Sequence, residues 1–240
     1  MSSTALPVKA VSCRGFSLVE LAIVLVIVSL LAGGLMMTLS SQLDLRHNQD
    51  TRQKLKEVQE ALLGYAATHI ATDGHPFLPC PDTNNDGAED RTGSTCNATA
   101  TNAEGTLPWR DLGLGREDAW GNRFRYRVDK RFSDSNIGIA INTPAATLRI
   151  CDQTSCSTVV ANQIPVVILS HGANGFGAIN SGGAANPAPT SADELENSNI
   201  NDDFVFRTPT QPGPNEFDDL VTWISPNILY SRLIAAGRLP

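Results

Sequence analysis

Positive charge is scarce in this chain. Its 240 residues hold 18 Lys and Arg against 25 Asp and Glu, a net charge of −7. That balance excludes a nucleic-acid partner held by bulk electrostatics. Motifs for catalysis are missing as well. Ser170 and His171 adjoin, but no G-x-S-x-G elbow surrounds them. Gly172–Gly177 lacks the Lys-Ser/Thr ending of a phosphate loop. The five cysteines include no C-x-x-C knuckle, which argues against zinc. The expectation is therefore a protein that is not an enzyme and has no organic cofactor. Long apolar runs are also scarce: there is one, near the N-terminus, and it is almost free of charge.

That run begins at Phe16, just after Lys9, Arg14 and Gly15. Glu20 is the only charged residue from Phe16 to Gln42. A carboxylate in mid-bilayer costs about 2.5–3.5 kcal/mol, so it is kept for a function and with a partner charge. Leu21–Leu39 is uncharged, and at about 1.5 Å per residue it nearly spans a bilayer core of about 30 Å. Gly33 and Gly34 interrupt it as a flexible point. Ala32-Gly33-Gly34 could pass for the small-residue site of a Sec signal peptide, but here the basic residues, glycine and glutamate all precede the apolar core.

The segment Arg14-Gly15-Phe16-Ser17-Leu18-Val19-Glu20 resembles the class III signal of type IV pilins and type II secretion pseudopilins. The resemblance implies cleavage by a prepilin peptidase between Gly15 and Phe16, N-methylation of Phe16, and an assembly role for Glu20 opposite the new amine. It also implies other pilins or pseudopilins as partners in a helical filament, an inner-membrane assembly platform, and membrane lipid around the helix before assembly. The basic leader on the cytoplasmic side leaves the remainder in the periplasm. The expected organisation is a leader at 1–15, a transmembrane and filament-core helix at 16–43, an amphipathic continuation at 44–72 and a periplasmic β-rich domain at 73–240. The implied fold is α+β, the pilin fold: a long N-terminal helix laid on an antiparallel sheet with disulfide-bonded loops. Bulky polar loops favour a minor subunit. The alternative is a membrane-anchored periplasmic binding module on a pilin-like stem, stabilised by calcium.

Two further segments carry the resemblance. Asp118-Ala119-Trp120-Gly121-Asn122 is similar to the Asp-Pro-Trp-Gly-Asn turn of major pseudopilins, and Ser170-His171-Gly172-Ala173-Asn174-Gly175 to their Gly-Ala-Asp-Gly loop. Those proteins bind calcium after that loop, which here implicates Asn174, Asp202 and Asp203.

The remaining pattern is periodic. Leu55, Val58, Leu62, Tyr65 and His69 share one helical face. Asp73-Gly74, with Pro76 and Pro79, marks the helix stop. Arg123 to Val128 alternates, with Phe124, Tyr126 and Val128 inward and Arg123, Arg125 and Arg127 on a solvated face. Other strands are expected at Ile137–Asn142, Thr147–Cys151, Pro165–Ser170 and Phe204–Thr208. Thr83–Gly105 and Gly172–Asp203 read as loops. Phe217–Leu239 reads as a turn and a short helix capped by Ser225 with Pro226 in its first turn. Four cysteines follow the leader: Cys80, Cys96, Cys151 and Cys156. They permit three pairings; the local one, Cys80–Cys96 and Cys151–Cys156, is preferred because each pair brackets a turn-rich segment. Asp82, Asn84, Asp86 and Asp90 match the first half of a calcium loop, D-x-N-x-D-G, without the glutamate at its twelfth position. The competing reading is an ion-free loop of Asx turns.

Overall fold

A computed structural model describes residues 17–97, 102–210 and 212–240; for residues 32–41 the backbone alone is described. Gly15, Phe16 and the leader lie outside the described residues. The chain divides into two compact units, Met1–Leu45 and Arg46–Pro240.

Helix α1 covers Leu18–Thr68. In the second unit its apolar stripe is buried as the spacing requires: Leu55, Val58, Leu62 and Tyr65 are each less than a tenth exposed. His69 stands just past the helix and stacks on Tyr65 at 3.7 Å between ring centroids. The helix stops at Thr68, ahead of the expected signal. Asp73-Gly74 instead forms the tip of a tight turn, in which Ile70 pairs with Pro76 and Ala71 N donates to His75 O at 2.8 Å.

The strands follow as β1 (Arg91–Thr92), β2 (Thr95–Cys96), β3 (Asn102–Thr106), β4 (Arg125–Asp129), β5 (Leu148–Cys151), β6 (Val159–Ile164), β7 (Val166–Ser170), β8 (Asp203–Val205) and β9 (Leu220–Ile224). A short 3-10 helix covers Lys130–Phe132, and α2 (Ala192–Ser198) and α3 (Pro226–Ala235) complete the elements. The central sheet is antiparallel with order β3-β4-β7-β9. A second sheet has order β6-β5-β8, with β5 antiparallel to β6 and parallel to β8. β1 and β2 form a small ribbon. This is an α+β architecture consistent with the pilin fold, and its loops are joined by disulfides Cys80–Cys96 and Cys151–Cys156, the local pairing.

Every residue of β7 is buried, because the central sheet is covered on both faces. Val166 and Ile168 join one cluster with Leu55, Val58 and Leu62 of α1 and with Leu229 and Leu233 of α3. Val167 and Leu169 join another with Leu148 and Ile150 of β5 and Phe204 of β8. The result is three layers: helices, central sheet, second sheet.

That third layer corrects the reading of the arginine stripe. Arg127 lies opposite Val167 and Arg125 opposite Leu169, so both side chains share the face that the second sheet covers. Arg127 is 1 % exposed. It donates from Nη1 to Glu104 at 2.6 Å and from Nη2 to Asp202 at 2.9 Å, and Arg125 pairs with the same Glu104. Arg125 and Arg127 form an internal ion-pair network and Arg123 is buried beside them, so the stripe is not a solvated face.

Other expectations also fail. Ile137–Asn142 forms no strand. Ile139 alone of its three isoleucines is buried, Ile137 and Ile141 are each 63 % exposed, and Gly138 N is held by the Asp73 carboxylate. The loop at 83–105 contains β1, β2 and the start of β3, and the loop at 172–203 contains α2. β9 occupies what reads as a turn. The C-terminal helix is as expected: Ser225 Oγ accepts from Ile228 N, with Pro226 in the first turn.

Candidate functional site

Of the N-terminal signal, the residues from Ser17 to Glu20 are among those described. Ser17-Leu18-Val19-Glu20 forms a capping box: Ser17 N donates to Glu20 Oε2 at 2.9 Å, and Glu20 N donates to Ser17 Oγ at 3.2 Å. Two of the helix's orphan donors are satisfied this way, and the carboxylate sits at the positive end of the helix dipole. Beyond it, the apolar side chains from Leu18 to Leu31 are exposed all round the helix. Among the described residues no helix is long and apolar enough to cross a membrane. Side chains in the run are described for 18–31, which amounts to about 21 Å at 1.5 Å per residue, short of a bilayer core.

The Asp82 loop is built from its own backbone. Asp82 is buried, and it accepts from Asn84 N, Asn85 N and Gly87 N at 3.1, 2.6 and 2.8 Å. Asn84 and Asp86 cap the N–H groups of Asp86 and Ala88, and Asp90 accepts from Thr83 N and Asn84 Nδ2. Gly87 takes φ +89°, which an L side chain disfavours. Asp82, Asp86 and Asp90 do not converge as a three-carboxylate group. The loop has the form of nested Asx turns.

A carboxylate group does assemble elsewhere. Carboxylate oxygens of Glu194, Asp218 and Asp219 lie within 4.8 Å of one another. Glu194 comes from α2, which sequence reading missed. Asp218 and Asp219 precede β9, between buried Phe217 and Leu220; two acids set among core residues were the available signal. Asn174 contacts them as a donor: its backbone N–H donates to Asp218 Oδ2 at 2.9 Å and its Nδ2 to Glu216 at 2.7 Å. Gly172 (φ +60°) keeps this loop close, since a Cβ there would sit 2.4 Å from Asp218 O. Asp202 and Asp203 are not in the group. They pair with Arg127 and Arg149.

Burial pushes the Glu194 carboxyl up to about 7, with the Asp219 and Asp218 charges adding to it. Burial likewise pushes Asp218 up to about 6, against hydrogen bonding from Asn174 and with Asp219 raising it further. Oδ1 of Asp218 and Oδ1 of Asp219 are buried without a hydrogen-bond partner among the described residues. Such a donor set, all hard oxygen, fits calcium or magnesium.

The two motif segments meet beside this group. Ser170 Oγ donates to Asp118 Oδ2 at 2.6 Å, and Asp118 Oδ1 accepts from Trp120 N and Asn122 N at 2.9 Å each. Burial raises the Asp118 carboxyl although these bonds oppose it. Ser170 thus holds the turn, while the ring nitrogens of His171 have no hydrogen-bond partner among the described residues.

A family model, the prokaryotic N-terminal methylation motif, matches residues 11–36. This is the signal of type IV pilins and pseudopilins, which are structural proteins. No curated protein and no solved structure matches the chain.

Proposed function

We propose that this protein is a structural subunit, most simply a minor one, of a type IV pilus or type II secretion pseudopilus. The observation that carries the reading is the methylation motif at residues 11–36. A prepilin peptidase cuts after Gly15 and methylates Phe16. The helix from Phe16 holds the protein in the inner membrane, with the domain in the periplasm, until an assembly platform adds it to a filament with other pilins or pseudopilins. Glu20 then neutralises the methylated amine, its own or a neighbour's, and fixes axial register, because an unpaired carboxylate in a dry core is strongly disfavoured.

Calcium belongs to the same reading. The group Glu194, Asp218 and Asp219 suits it better than the Asp82 loop, whose carboxylates are already spent on backbone N–H groups. A bound cation would offset the mutual repulsion of these three acids, two of them buried, and tie α2 to the start of β9.

Intact mass and N-terminal sequencing of the membrane-extracted protein test the processing step. The expected mature chain starts at methylated Phe16, and Gly15→Ala accumulates as full-length precursor. An unprocessed parent chain in cells with active prepilin peptidase would refute the assignment.

A further inference from the structure

Between the Asp82 loop and the central sheet lies a cavity of about 260 Å³ whose wall includes Asp82, Glu104, Arg123, Arg125, His171 and Ile179. Its donors are underused. Arg123 is 6 % exposed, and the one described hydrogen bond of its guanidinium is from Nη1 to Asn85 O at 3.1 Å. Arg125 donates to Asn199 O at 2.7 Å and pairs with Glu104. Nε of both arginines is buried with no acceptor among the described residues, and both ring nitrogens of His171 are likewise without a hydrogen-bond partner there. His171 is 1 % exposed, and its Nδ1 stands 3.5 Å from Asp219 Oδ1.

The wall's acceptors are already engaged. Asp82 accepts three loop N–H groups and the Thr106 hydroxyl. Glu104 is shared between Arg125 and Arg127. Among the described residues, Arg123 is therefore a buried cation with no ion pair, whose one guanidinium hydrogen bond goes to a carbonyl oxygen. A guanidinium cannot shed its proton, and its N–H groups can only donate. Buried and unmatched, such a charge is costly unless an anion completes it. A cavity of this size holds about nine waters at about 30 Å³ each, room for a small organic molecule.

We propose that this cavity binds a small organic acid, with its carboxylate at Arg123 and neighbouring donors from Arg125 and His171. The proposal is independent of filament assembly.

Saturation-transfer NMR on the detergent-solubilised full chain tests it, with succinate as probe and neutral succinamide as control. Succinate is expected to bind and succinamide not. Arg123→Gln should weaken succinate about tenfold or more, the loss expected for a hydrogen bond to a charged group. Ile179→Trp, which fills the cavity and leaves both arginines in place, should abolish binding. No succinate signal from the parent chain, equal binding of succinamide, or unchanged affinity in Ile179→Trp would overturn the proposal. The comparison of the two probes needs no variant, so it decides even where a substitution impairs folding.

Discussion

Arg127 is held by two carboxylates in the space between the sheets, whereas Arg149 makes a similar pair with Asp203 at the surface, its side chain 48 % exposed. Removing one partner of a buried pair costs about 3–5 kcal/mol, against about 0–1 kcal/mol for an exposed one. Arg127→Met should fall near the lower end of the first range, because Glu104 keeps Arg125. Arg149→Met should change stability by less than about 1 kcal/mol. Urea denaturation of both variants checks the contrast. The acidic group gives a pH dependence of definite sign. Glu194 and Asp218 have folded-state values raised to about 7 and about 6, so the folded state binds more protons than the unfolded one above the ordinary carboxylate range. Stability must then fall as pH rises from about 4.5 to about 7. In EDTA the melting temperature should show that fall, and millimolar calcium should cancel it at neutral pH. A melting temperature insensitive to calcium would remove the cation from the proposed function. The alternation of Arg123 to Val128 was readable from residues alone; which face met solvent was not. That depended on Asp202 and β5, tens of residues away, covering the arginines.

Leu62 is fully buried where α1 meets the central sheet. Leu62→Ala should cost about 2–5 kcal/mol through lost transfer energy and the cavity left behind. Thermal melts of parent and variant measure it. The stripe of α1 and the Ser225 cap of α3 were legible because both are local: a 3.6-residue period and a side chain three residues from its target. β9 was not, since Asp218-Asp219 interrupts the apolar pattern at its start, and only pairing with β7 makes it a strand. Likewise Asp73-Gly74 was a correct turn signal attached to the wrong turn. The chain leaves the helix at Thr68 because Ile70 can pair with Pro76.

At the scale of the whole molecule, the methylation motif is the part of the function that sequence carries, because a peptidase reads a short local signal. The carboxylate group was not legible, since Glu194, Asp218 and Asn174 meet only after folding. Assembly provides its own test. Glu20→Ala should still be cleaved yet enter filaments poorly, as judged by the sheared-filament fraction on immunoblots; unimpaired entry would refute the charge-pairing role. Ser17 holds that carboxylate at the helix start until then. The fully covered strand β7 sets how the domain comes apart. Lifting away the helical layer exposes one face of β7, and losing the second sheet exposes the other, but neither event breaks its hydrogen bonds to β4 and β9. Its amide hydrogens therefore exchange with solvent only when the domain opens as a unit, and their exchange rate reads out global stability.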